Sequence, residues 1–273
     1  MTRALVLGGG GIAGIAWEAG IVTGLRRAGL DLGEADLVVG TSAGSVVGTL
    51  MTTGVDLEEA VVAQAEAEPA ASPRVDPEAV MAVFGLLHDA SLDPEEARRR
   101  VGALALGTED TGARTEEIGR RLPVQEWPER RLLVTAVDTV TGGFVVWDRH
   151  SGVPLPSAVA SSCAVPCVFP PVEIGGRHYM DGGVRSVTNA DLAAGSSAVV
   201  VVEPLAHLET RERFDAEVTT LGDAAVAHVA PDQAAVAVFG IDILNPALWR
   251  PAFAAGLAQA ADVAETVAKV WRV

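Results

Sequence analysis

The stretch V38-V-G-T-S-A-G-S-V-V-G48 decides the fold. An apolar run stops at Gly40, Ser42 follows between Gly40 and Gly44, and a second apolar run begins at once. A strand that ends in a tight turn and gives way to a helix is the building unit of a parallel α/β sheet. The letters match G-x-S-x-G, the turn on which a nucleophilic serine is held exposed at the end of a strand. They equally fit a small-residue connection in which Ser42 does no chemistry.

Upstream, Ala4–Leu7 reads as a short buried strand running into G8-G-G-G-I-A-G14, followed by a helical segment at 15–28 with Gly29 as its C-terminal stop. Strand, loop, helix, strand (about 36–40), loop and helix (43 to about 53) therefore fit into some fifty residues. In a right-handed βαβ unit the loops after parallel strands emerge on the same edge of the sheet. The glycine loop and the Ser42 turn are thus predicted to be neighbours. Gly9, Gly11 and Gly14 fit G-x-G-x-x-G, but the second strand ends in Gly40-Thr41-Ser42 with no acidic residue to hold a ribose, so a dinucleotide site fails. No lysine follows the glycines, which excludes a P-loop. What such a loop does offer is backbone N–H groups at the positive end of a helix, the equipment of an oxyanion hole.

Between about 56 and 125 the chain turns acidic and helical, with Asp56, Asp76 and Asp93 at helix starts. Strands are expected again at 131–138, 142–148 and 197–204, a helix at 155–162, and a hairpin around Gly175-Gly176 in VEIGGRHYMDGG. The end of the chain, from about 246, reads as one long alanine-rich helix. At 273 residues, 49% of them hydrophobic, the chain can bury a large core, and it reads as a single domain over 1–273 with a cap-like helical segment at about 56–125.

The net charge is −16 and Lys269 is the only lysine. Such a chain is a poor partner for nucleic acid or anionic membranes, so any membrane-surface contact is expected to be transient. Cys163 and Cys167, the only cysteines, are expected as reduced thiols rather than zinc ligands, since no further ligands lie nearby in sequence. No run approaches the length of a membrane span and the N-terminus lacks an h-region, so the expected location is cytoplasmic. No metal or cofactor is called for.

If Ser42 is a nucleophile it needs a base. His88, His150, His178, His207 and His228 lie in no glycine-rich or turn motif, although the order Ser42, an aspartate, His228 would suit a triad. Only one strand precedes the strand that ends in this serine turn, too few for an α/β-hydrolase. Asp181, in M-D-G-G-V, follows the hairpin strand and precedes Gly182 and Gly183. The pair Asp-Gly alone would read as a turn, but a buried carboxylate there can serve as general base.

Taken together, GGGGIAG (8–14), GTSAGS (40–45), ASSCAVPCVFPPV (160–172) and DGGVRSVTNADLA (181–193) resemble the patatin-like phospholipase family over about residues 4–204. The resemblance implies a three-layer α/β/α fold with a mainly parallel sheet, and hydrolysis of lipid acyl esters by a Ser-Asp dyad without metal. It makes Ser42 the nucleophile, Asp181 the base, and Gly9, Gly10 and Gly11 the oxyanion donors. Gly14, Gly40, Gly44, Gly182 and Gly183 support the motifs. Family members usually carry Arg or Lys where this chain has Ala13, which implies an anion hole without a cation and a preference for uncharged esters. The contrasting expectation is a catalytically silent lipid-binding regulator on the same fold.

Overall fold

The computed structural model describes residues 2–67, 75–108, 122–208 and 210–272. An eight-stranded sheet forms the centre. Strands β1 (Arg3–Leu7), β2 (Leu37–Gly40), β3 (Arg131–Asp138), β7 (Ala198–Val202) and β8 (Ala225–Val229) run parallel in the order β3-β2-β1-β7-β8. Beyond β3 the sheet turns antiparallel, with β4 (Phe144–Trp147), β5 (Val172–Ile174) and β6 (Arg177–Asp181). Gly175 and Gly176 both take positive φ in the β5–β6 turn, the backbone that a two-residue hairpin needs.

The central strands are apolar on both faces because both are covered. Leu5 and Leu7 face one core, while Ala4 and Val6 face the other. The first layer holds α1 (Gly11–Arg27), α2 (Ala43–Thr52), α3 (Leu57–Glu66), α6 (Leu155–Ser162), α8 (Gln233–Phe239) and α9 (Trp249–Trp271). The second holds α7 (Arg211–Thr220) and, over the end of β3, α4 (Pro77–Leu87) and α5 (Pro94–Ala105). This is the expected α/β/α arrangement.

α1 and α9 pack backbone against backbone: a Cβ on Gly20 would overlap Phe253 O, and one on Gly256 would overlap Trp17 O. The small residues of the C-terminal helix therefore serve this crossing. Asp56, Asp76 and Asp93 each accept backbone N–H groups at the start of α3, α4 and α5. Residues 68–74 and 109–121 of the cap-like segment lie outside the described residues. Two differences from expectation stand out. Helix α1 starts at Gly11 rather than Ile15, so its N-terminus is the glycine loop itself. The 205–245 region carries α7, β8 and α8, which are not among the elements expected from sequence.

Candidate active site

Register explains how distant motifs meet. Val134 of β3 pairs with Gly40 of β2 on one side and Trp147 of β4 on the other. Ala136 pairs with Asp181 of β6 and with Val145 of β4. Since β4 occupies one edge of β3, β2 and β6 share the opposite edge. They approach end to end and stop two β3 residues apart. Ser42 emerges from the end of β2 and Asp181 is the end of β6, so the two are delivered to one seam of the sheet. Both are buried, at 8% and 5% exposure.

Ser42 takes φ 51° and ψ −113°, a backbone that costs a non-glycine residue on the order of 1–3 kcal/mol. The surroundings enforce it. Ser42 N–H donates to Ser162 Oγ (2.9 Å), and Ser42 O accepts from Ser45 Oγ (2.7 Å), Ser45 N (2.9 Å) and Cys163 Sγ (3.4 Å). Gly40 and Gly44 permit the turn. Gly44 N–H donates to Gly8 O and Thr41 O, and any side chain on Gly44 would overlap Leu7 O.

Asp181 is held from its other side. Its N–H donates to Ala164 O (2.9 Å) and its Oδ1 accepts Gly183 N–H (2.7 Å). A side chain on Gly182 would strike Thr135. Residues 162–164 thus touch both the serine, through Ser162 and Cys163, and the aspartate, through Ala164. From sequence this segment belongs to the ASSCAVPCVFPPV motif without a role of its own. Its signal was the run of small residues Ser161-Ser162-Cys163-Ala164 at the end of a helix.

The glycine loop lies against the serine: a Cβ on Gly9 would sit 3.6 Å from Ser42 Cβ. Its donors are unequally placed. Gly9 N–H is already given to Val187 O (2.8 Å), and Ala13 N–H to Ile243 O (3.0 Å). Among the described residues the N–H groups of Gly10 and Gly11, and that of Ala43 directly after Ser42, have no hydrogen-bond partner. Gly14 N–H closes the first turn of α1 on Gly10 O (2.8 Å), and Gly10 and Gly14 lie against Pro204. Ala13 is fully buried in the core, so an arginine substituted there would bury its charge.

One turn further along α1, Glu18 is fully buried and neither carboxylate oxygen has a hydrogen-bond partner. Burial holds its carboxyl well above the usual range, and the neighbouring Gly8 backbone offsets this only in part. His228 is engaged elsewhere: its Nε2 lies 2.6 Å from Glu203 Oε2. It sits on β8, three strands from β2, roughly 14 Å at ordinary strand spacing. Among the described residues no three His, Cys, Asp or Glu side chains are grouped to hold a metal ion.

Residues 5–194 match the patatin-like phospholipase family. The chain belongs to that family. Members of this patatin-like family are lipid acyl hydrolases, which supports a hydrolase here. Among solved structures, VipD from Legionella pneumophila aligns over 97% of this chain and 67% of its own, at 15% identity and TM-score 0.50. The type III effector protein ExoU aligns over 97% of this chain and 53% of its own, at 15% identity and TM-score 0.43. At that identity VipD speaks for the patatin-like fold alone. No curated protein matches the chain.

Proposed function

We propose that this patatin-like chain is a serine esterase of lipids that works by a Ser42–Asp181 dyad. The observation that carries the reading is the seam: a strained serine at the end of β2 and a buried aspartate at the end of β6, bracketed together by residues 162–164 beside a glycine loop. Ser42 Oγ attacks the ester carbonyl carbon while Asp181 takes its proton. The oxyanion is met by backbone N–H groups, for which Gly10 and Gly11 are better placed than Gly9, whose hydrogen is committed to Val187 O. Collapse expels the alcohol, protonated by Asp181, and leaves Ser42 acylated. Water then gives a proton to Asp181 and attacks the acyl carbon, releasing the acid and restoring the serine. Each oxyanion donor is worth a few kcal/mol in such a step.

No helix among the described residues is long and apolar enough to cross a membrane. Cys163 and Cys167 are thiols rather than a disulfide, which supports a reducing, cytoplasmic setting.

Ser42→Ala and Asp181→Asn should each abolish hydrolysis of a short-chain soluble ester with the fold intact by circular dichroism, and a fluorophosphonate should label wild type but not Ser42→Ala. Replacing the five histidines singly should leave most activity. A folded but inactive histidine variant would return the triad. A wild type that neither hydrolyses nor labels would favour the silent lipid-binding reading.

A further inference from the structure

β2 and β6 meet end to end, so no backbone ladder spans the gap between Ser42 and Asp181. The gap is crossed by side chains. Asn189 is fully buried and takes the left-handed conformation (φ 52°), which asparagine tolerates better than most residues. Its Nδ2 donates to Thr41 Oγ1 (3.0 Å) and Ser186 O (2.7 Å), and lies 3.4 Å from Gly182 O. Thr41 is the residue before Ser42, and Gly182 the residue after Asp181.

The amide is itself fixed. Its Oδ1 accepts from Arg185 (2.8 Å), whose guanidinium forks onto Asp191 (2.8 and 2.7 Å). Because arginine only donates, the amide oxygen must face it and the NH2 must face Thr41. On either side of Asn189, Thr188 Oγ1 and Ala190 N–H both donate to the buried Glu217 (2.6 and 2.8 Å). Thr135 lies in β3 between the residue that pairs with β2 and the residue that pairs with β6, and it hydrogen-bonds the same Thr41 hydroxyl (2.9 Å).

We infer that Asn189 is a positioning residue that sets the spacing of the dyad, bracing Thr41 and Gly182 across the seam; this rests on the dyad reading above. The 162–164 segment holds one side of the pair and Asn189 the other. With the amide gone, Thr41 and Gly182 lose the donor they share, and the ends of β2 and β6 are joined only through β3 and residues 162–164. Reacting groups displaced by about 1 Å lose on the order of a hundredfold in rate.

The test is turnover per active site, counted by fluorophosphonate titration, on a soluble ester. Asn189→Gly keeps the backbone conformation and removes the amide. Turnover per titrated site should fall on the order of a hundredfold with KM little changed. Thr41→Val should reproduce the loss and Thr41→Ser, which keeps the hydroxyl, should recover most of it. The double variant Asn189→Gly/Thr41→Val should be no worse than the poorer single one, because both remove the same link. A purely structural amide would give fewer titratable sites, each turning over at the wild-type rate, and that result overturns the inference. Multiplying losses in the double variant also overturn it. If Asn189→Gly fails to fold, the Thr41 pair decides alone. A Ser42→Ala protein that stays active would instead sink the dyad reading itself, which separates the two failures.

Discussion

At the scale of single residues, the site carries two costs that measurement can expose. The first is backbone strain at Ser42. Alanine inherits the disfavoured positive φ, whereas glycine adopts it freely. Both Ser42→Ala and Ser42→Gly should be inactive, yet the glycine variant should be the more stable by up to about 1 kcal/mol in urea melts. An alanine variant as stable as the glycine one would mean that the turn relaxes when the hydroxyl leaves, and that the strain belongs to the serine rather than to the scaffold. The second cost is Glu18, whose carboxyl is pushed up by burial. In the folded chain it keeps its proton to a higher pH than in the unfolded chain, where it ionises near the ordinary 4.5. Its stabilising contribution is therefore complete below that value and is lost as pH rises toward its folded value. Glu18→Gln, which cannot ionise, should match wild type at about pH 4.5 and overtake it progressively toward about pH 8 in melting temperature. A constant offset between the two across that range would show that Glu18 is equally protonated in both states.

At the scale of elements, α4 shows how far pattern carries and where it stops. The spacing of Val80, Val83, Phe84 and Leu87 marks one helical face, which from sequence reads either as a stripe packed into the core or as the inner face of a cap lining an acyl channel over Ser42. In the structure the buried edge is Val83, with Leu86 and Leu87 half-buried against the small core that includes Val137, Met180 and Val184. Phe84 points away at 46% exposure and Met81 at 68%. Of the four stripe residues only Phe84 is exposed, while Val80 and Leu87 are half-buried and Val83 is buried. Phe84→Ala should consequently cost well short of the ~3–5 kcal/mol of a core phenylalanine. If the outer face of α4 guides acyl chains, the same change should shift the chain-length preference with short esters spared; a large fall in melting temperature with uniform loss of activity would put Phe84 back in the core. The elements beside strong local signals were legible: Asp caps opened three helices, and the glycine pair made the hairpin. β8 was not, because A225-V-A-H-V229 is short, has a mixed pattern, and becomes a strand only through pairing with β7. The same limit governs the site. Ser42 and Asp181 announce themselves by their glycines, whereas Thr135 and Asn189 matter only because two strands abut along β3, a register that no local pattern contains. In sequence Gly9 is equivalent to Gly10 and Gly11, but in the fold its N–H donates to Val187 O.

At the scale of the whole molecule, the dominant long-range property is charge. The chain carries −16, and among the described residues many arginines are already paired, among them Arg99 and Arg100 with Glu96, Arg185 with Asp191, and Arg250 with Glu66. The site adds no compensating cation at position 13, where Ala13 is buried. An anionic lipid surface is thus repelled on approach and finds no side-chain cation on the glycine loop when it arrives. Repulsion between exposed charges reaches only a Debye length, roughly 10 Å at 0.1 M salt and 30 Å at 0.01 M. Given one ester substrate diluted into zwitterionic or anionic vesicles, hydrolysis should be faster on the zwitterionic ones at low salt. Added sodium chloride should narrow the gap by raising the anionic rate, with little effect on the zwitterionic rate or on a soluble ester. The soluble ester separates surface encounter from chemistry, since it feels the site but not the surface potential of the vesicle. Faster hydrolysis on anionic vesicles at low salt would show that a local basic patch outweighs the net charge, and would locate surface recognition in the arginines rather than in the apolar face of α4.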